Sequence, residues 1–141
     1  MTAEFSLAVH ALVYLHAKKT ELSSEELAAN ICTNPARVRK IMRGLKTAGL
    51  VSVKEGAGGG YLLAKNAGDI SLRDIAEATG TNFVAASWRS GNIDMDCAVA
   101  SGIAAEMDGI YAELDESCLK MLAHSSVADI SRDLHARRNR K

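Results

Sequence analysis

NPARVRKIMRGLKTAGLVSVKEGAGGGYLL, residues 34–63, reads as one continuous unit: a capped basic helix, a stop, and two strand-like runs around a glycine-rich tip. Asn34 suits the position that caps the first free amides of a helix, and Pro35 suits the first helical residue, whose N–H has no intrahelical partner. Gly49 ends the helix. Val38, Ile41, Met42 and Leu45 recur at i, i+3, i+4 and i+7, so they form an inward stripe and leave Arg37, Lys40, Arg43 and Thr47 facing outward. Leu50–Val53 and Tyr61–Leu63 have strand character, and Gly56, Gly58, Gly59 and Gly60 give the turn between them its backbone freedom. A cationic helix followed by such a hairpin is the pattern of a recognition helix with a wing, and it points to nucleic acid as the partner.

The segment just upstream supplies the first half of a helix-turn-helix. Ser23-x-x-Glu26 is a capping-box pattern ahead of Leu27, Ala28 and Ile31, and the Cys32-Thr33 turn leads into the basic helix. Before it, Phe5, Val9, Leu12 and Leu15/His16 keep helical spacing from Thr2 to about Lys18-Lys19. This amphipathic stretch contains Glu4 and His10 and no basic leader, so it reads neither as a signal peptide nor as a membrane span. A cytoplasmic protein is expected. Three cysteines, odd in number and widely spaced, argue against a disulfide framework and agree with a reducing compartment.

Downstream, Ser71-x-x-Asp74 caps another short helix that Gly80 ends, and residues 81–96 lack periodicity and read as an irregular connection. From Asp96 on, Val99, Ile103, Met107, Ile110, Leu114, Cys118 and Met121 advance by threes and fours, the seam of two helices packed lengthwise. A helix of about 25 residues spans ~37 Å, and on so small a head its simplest use is homodimerisation. Ser126-x-x-Asp129 opens a last short helix through Val127, Ile130 and Leu134, and residues 135–141 read as a basic, solvated tail. Three parts are expected: a winged helix-turn-helix head (1–80), a connection with the dimerisation helix and a short helix (81–134), and the tail. The fold class is mainly α with a small β-wing.

Net charge cancels over the 141 residues, with 17 Lys/Arg against 17 Asp/Glu, yet it is unevenly divided. Residues 1–66 hold nine basic and five acidic side chains, residues 67–131 three and eleven, and residues 132–141 five and one. A basic head on an acidic body suggests that the head meets the polyanion and the body does other work.

With these pieces placed, the chain resembles the IscR/NsrR/CymR family of bacterial winged-helix transcriptional regulators over roughly residues 2–134. GLVSVKEGAGGGYLLAK (49–65) is the most specific match; FSLAVHALVYLHA, LAANICTNPARVRKIMRGLKTAGL and ISLRDIAEATG support it. The resemblance implies a homodimer with two winged heads on a partly palindromic operator, usually acting as a repressor. Cluster-bearing members of the family carry three cysteines spaced by six around the start of the long helix. Here Cys97 is followed at those intervals by Ile103 and Gly109, which cannot ligate iron, so no iron–sulfur cluster is expected. Glu55 stands where the family wing usually has arginine, and Gly44 where a cation is common in the basic helix.

The expected DNA contacts are Arg37, Arg39, Lys40, Arg43, Lys46 and Thr47 on the helix, and Lys54, Gly58, Gly59 and Gly60 at the wing. The glycine run opens a strand, not a helix, and lacks Lys-Ser/Thr, which argues against a nucleotide loop. Cys97, near a helix N-terminus that favours thiolate, and Cys32, in the turn before the basic helix, are the candidate redox sensors; each also has a plain packing reading. The four histidines form no metal-ligand spacing, and no metal is expected. Trp88 suits a core or dimer-interface anchor, or the wall of a small-molecule effector pocket. No nucleophile–base pair or carboxylate dyad is tied to a motif, so the chain is not expected to be an enzyme. A winged-helix module that binds a protein partner is the rival reading.

Overall fold

A computed structural model describes residues 2–140 and runs α1 (Ala3–Lys18), α2 (Ser24–Ile31), α3 (Pro35–Thr47), β1 (Val51–Lys54), β2 (Gly60–Leu63), α4 (Leu72–Thr79), α5 (Ala98–Leu122) and α6 (Val127–Asn139). A 3₁₀ turn at Ala67–Asp69, which periodicity does not announce, joins the hairpin to α4. Local chemistry sets most boundaries. Asn34 accepts from the Arg37 amide, while Ser71 and Ser126 each form a reciprocal capping box with Asp74 and Asp129. Ser23 caps α2 by accepting from the Glu26 amide, without the reciprocal bond that the capping-box pattern anticipates. Gly80, with φ of 62°, closes α4 in the left-handed conformation expected of a terminating glycine.

The core lies under the head. Leu12, Leu27, Val38, Met42, Leu45, Leu50, Ile70, Ile75 and Val127 are fully buried, so α1, α2, α3, α4 and the start of α6 close one hydrophobic cluster. The buried face of α1 is broader than the spacing of Phe5, Val9, Leu12 and Leu15 suggests, because Leu7, Ala8, Ala11 and Val13 are also buried. Small alanines let neighbouring helices approach α1 closely. Phe5 and Val9 sit at the edge of the cluster, with Phe5 edge-on to Phe83 at 5.0 Å between ring centroids.

β1 and β2 pair antiparallel, Val51 opposite Leu63 and Lys54 opposite Gly60. Leu22, in the turn between α1 and α2, adds a third rung: its amide donates to the Tyr61 carbonyl and the Tyr61 amide donates back to Leu22, at 3.2 and 2.8 Å. Gly60 permits this approach, since a Cβ there would lie 2.6 Å from the Leu22 carbonyl oxygen.

The C-terminal region departs from the sequence reading. The basic segment from His135 onward continues α6 to Asn139; a capping box starts the helix, and Arg137 and Arg138 stand in its last turn, where cations suit the carbonyl end. Lys141 lies outside the described residues. α5 has no fully buried residue. Its C-terminal half leans on the head, where Asp115 accepts from the Phe83 and Val84 amides and Leu122 packs against the core. The connection 81–96 is irregular, as expected, and runs back along α5 as a strap. Trp88 is not a core residue: it is 79% exposed and lies along α5 beside Ile103, Met107 and Tyr111.

Met42→Ala should lower unfolding free energy by about 2–5 kcal/mol, the usual cost of emptying a buried site. Ser71→Ala should cost ~1 kcal/mol for a lost cap. Urea unfolding separates the two, and equal effects would contradict the placement of Met42.

Candidate nucleic-acid interface

One face of α3 is closed and the other open. Val38, Ile41, Met42 and Leu45 are buried, while Arg37, Lys40, Arg43, Lys46 and Thr47 are exposed. From Arg37 to Thr47 the open stripe runs about 15 Å at the helical rise, enough to lie in a major groove ~12 Å wide. Because the closed face is locked into the core, the direction of the open one is fixed by the whole head.

The cations are not equivalent. Among the described residues Arg37, Arg43 and Lys46 take part in no ion pair, whereas Lys40 approaches Glu4 at 3.9 Å, Arg39 approaches Glu25 at 3.7 Å and Lys54 approaches Glu21 at 3.8 Å. Arg39 also donates to the Ser24 hydroxyl at 3.2 Å, so it turns toward α2 and away from the open stripe. The carboxyl of Glu21 is held below the usual carboxylate range by its own backbone amide and by Lys54; that of Glu25 is held low by its own amide and the Ser24 hydroxyl. Both stay ionised at neutral pH and compete with phosphate for their cations. Such exposed pairs contribute little and are screened by salt, so they tune the interface without closing it.

Two expected polar contacts are already engaged. The Thr47 hydroxyl donates to the Arg43 carbonyl at 3.0 Å, which leaves it free only as an acceptor. In the wing, the Gly59 amide donates to the Gly56 carbonyl at 3.0 Å, and a Cβ on Gly59 would fall 2.0 Å from the Lys54 carbonyl oxygen. Gly59 and Gly60 therefore have steric reasons to be glycine, and of the four wing glycines Gly56 and Gly58, with φ of 93° and 76°, are the two that the turn holds in the left-handed region. Gly44 also has a packing reason. A Cβ there would come within 3.2 Å of the Ala78 carbonyl oxygen, so the position faces α4 and not the groove.

The candidate sensors are separate from this surface and from each other. Cys97 is exposed and stands as the N-cap of α5, where no hydrogen bond caps the helix through its side chain, and the nearby backbone amides of Ala100 and Val99 hold its pKa below that of an ordinary thiol. Asp94 and Asp96, although close in sequence, do not offset that effect. Cys32 is exposed in the left-handed C-cap of α2 at φ 66°, its sulfur 3.9 Å from the Ala29 carbonyl oxygen. Cys118 lies half-buried on α5, and its 21-residue separation from Cys97 along one helix corresponds to ~31 Å. Among the described residues no group of three or more His, Cys, Asp or Glu side chains is placed to hold a metal ion. The donor set does not fit a cluster that needs several converging thiolates. Nor is any described helix long and apolar enough to cross a membrane.

Comparison with known proteins places this geometry. A family model described as "Rrf2: Iron-dependent Transcriptional regulator" matches residues 1–133. "Protein aau3" of Rhizobium meliloti (strain 1021) is 30% identical over 109 residues, which cover 76% of this chain and 71% of that protein. A "putative transcriptional regulator" from Lactobacillus plantarum superposes with a TM-score of 0.81 at 26% identity, covering 96% of this chain and 91% of its own. T. potens IscR, at 21% identity, covers 95% of this chain and 87% of its own with a TM-score of 0.67, which shows the shared fold alone.

Thiolate is the reactive form of cysteine, so Cys97 should alkylate with iodoacetamide at lower pH than Cys118, its rate rising as pH climbs through the depressed pKa. Val99→Pro, which removes one of the two amides within the first helical turn, should move that profile to higher pH. An unmoved profile would mean that the amides do not hold the thiolate.

Proposed function

The chain belongs to the Rrf2 family of transcriptional regulators, and from that premise we propose a cytoplasmic, homodimeric repressor that reads operator DNA through α3 and the β1–β2 wing, without an iron–sulfur cluster. The observation that carries this reading is the division of α3 into a fully buried apolar face and an open cationic one, beside a wing that Leu22 ties to the same core. Arg37 and Arg43, free of carboxylates, are assigned to the groove; Lys46, Lys54 and the Gly58 region are assigned to phosphate, with Lys40 joining once Glu4 releases it. Glu55 weakens the wing contact by repelling the backbone.

Dimerisation is read from α5. Val99 and Met121 are 70% and 69% exposed, and Ile110 and Leu114 are each about half exposed, on the stripe where Ile103, Met107 and Cys118 are half-buried. The adjacent stripe of Ala104, Asp108, Tyr111 and Asp115 is occupied by the strap. An open apolar stripe next to an occupied one is the expected state of a helix that pairs with a second copy. The donor set at Cys97 supports a cluster-free regulator. A second reading adds a thiol switch at Cys97, favoured by its exposure and its amide-stabilised sulfur.

Fluorescence anisotropy on the protein's own upstream DNA tests the assignment. Binding should be selective over random DNA and fall steeply with salt; Arg37→Ala with Arg43→Ala should abolish selectivity, whereas Lys46→Ala should weaken binding to all sequences and flatten the salt slope by roughly 0.9 for its lost phosphate contact. Salt-tolerant, unselective behaviour would transfer the α3 face to a protein partner. Diamide should weaken operator binding of the wild type but not of Cys97→Ser if the switch operates, and identical responses would remove it.

A further inference from the structure

The C-terminal end of α1, the end of β2, the Ala67–Asp69 turn and the start of α6 enclose an open hollow of about 420 Å³ on the flank of the head. Its walls are of two kinds. Leu15, Leu62, Leu63 and Ala128 give it an apolar floor, and His16, Lys19, Lys65 and Asn66 stand round it. Among the described residues no carboxylate lines it: Asp69 and Asp129 face a separate hollow that shares only Gly68 and Ala128 with this one.

Two of the polar residues leave undone the structural task that their positions offer. Lys19 closes α1 at φ of 55°, a left-handed conformation that glycine adopts without steric cost and a lysine does not. Asn66 stands at the N-cap of the 3₁₀ turn, where an asparagine ordinarily accepts from a free amide, yet its side chain makes no such bond. Neither Lys19 nor Lys65 takes part in an ion pair among the described residues, although Lys40 and Lys54 on the same head do. Lys18, the neighbour in sequence, is engaged elsewhere, 5.7 Å over the Tyr14 ring. A strained position that holds a cation, beside a second cation and an idle amide, marks a place where those groups have a use outside the fold.

From this arrangement we propose that the hollow binds a small organic monoanion, an aliphatic or aromatic carboxylate. Its hydrocarbon lies on Leu15, Leu62 and Leu63, its carboxylate meets Lys19 and Lys65, and the Asn66 amide and His16 ring add hydrogen-bond donors. The floor decides the class. A bare phosphate, free or in a nucleic-acid backbone, has nothing to bury on three leucines, and a nucleotide base would need an aromatic surface that no Phe, Tyr or Trp provides here. Size agrees, since small-ligand pockets begin at ~300 Å³ and combine an apolar lining with a few placed polar groups. The site adjoins the wing, because Leu62 and Leu63 belong to β2 and follow the Tyr61 that pairs with Leu22. It belongs to the head alone and depends on neither the operator nor a second copy.

Amide NMR spectra of the ¹⁵N-labelled full chain test it, titrated separately with sodium hexanoate, sodium benzoate, hexanol and inorganic phosphate at matched ionic strength. At least one carboxylate should shift the amides of residues 15–19 and 62–68 saturably, and hexanol and phosphate should each bind at least tenfold more weakly. Lys65→Ala should weaken the carboxylate at least tenfold. Lys19→Gly should do the same while holding or raising Tm, because glycine suits the left-handed position, so that loss of binding cannot be loss of the fold. If hexanol binds as tightly as hexanoate the hollow is only apolar, and if phosphate does it is only a cationic patch; either result overturns the proposal, as does the lack of a saturable shift with both carboxylates. If the two substitutions spare carboxylate binding and weaken operator binding instead, the cations serve DNA, and the proposal fails while the regulator reading stands.

Discussion

Burial of one face of α3 is the constraint on which the remainder depends. Val38, Ile41, Met42 and Leu45 touch the core made by α1, α2 and α4, so the helix cannot roll about its axis without exposing four large apolar side chains. Everything outward-facing inherits its direction from that burial. The cations gain a common heading, Gly44 can press against α4, and the helix ends where Leu50, itself buried, turns the chain into the first wing strand.

The same core organises electrostatics. Three carboxylates, Glu4, Glu21 and Glu25, come from α1, the α1–α2 turn and α2, and each stands near a cation of α3 or the wing. The resulting surface is graded. Among the described residues Arg37, Arg43 and Lys46 take part in no ion pair, while Lys40 and Lys54 each have a carboxylate neighbour that a polyanion would displace. Such an exchange penalises loose encounters more than fitted ones, because only a well-registered phosphate replaces the displaced carboxylate at full strength.

Local chemistry made much of this legible before any coordinates. Asn34, Ser71, Ser126, Gly49 and Gly80 mark helix ends through bonds made within four residues, and the 25-residue α5 follows from a run of seven apolar positions spaced by threes and fours. What escaped reading is non-local. The Leu22–Tyr61 rung joins backbones 39 positions apart, and backbone pairing leaves no mark on side-chain identity except at Gly60. The carboxylate partners of the cations, the bonds of Asp115 to the strap and the sideways placement of Trp88 all depend on which surfaces the fold brings together. The extension of α6 through the basic segment is hidden for a different reason: a run of arginines resembles a solvated tail, although arginine is a good helix former and suits the carbonyl end.

The Leu22 rung has a mechanical meaning. Through it the wing and the α1–α2 turn are fastened to the body that holds α3. A molecule of this kind cannot easily change the angle between helix and wing. In the dimer proposed above, the freedom that remains is the distance between two heads, to be set against successive major grooves about 34–36 Å apart. Control of affinity then becomes a matter of span, with the long helix as the ruler.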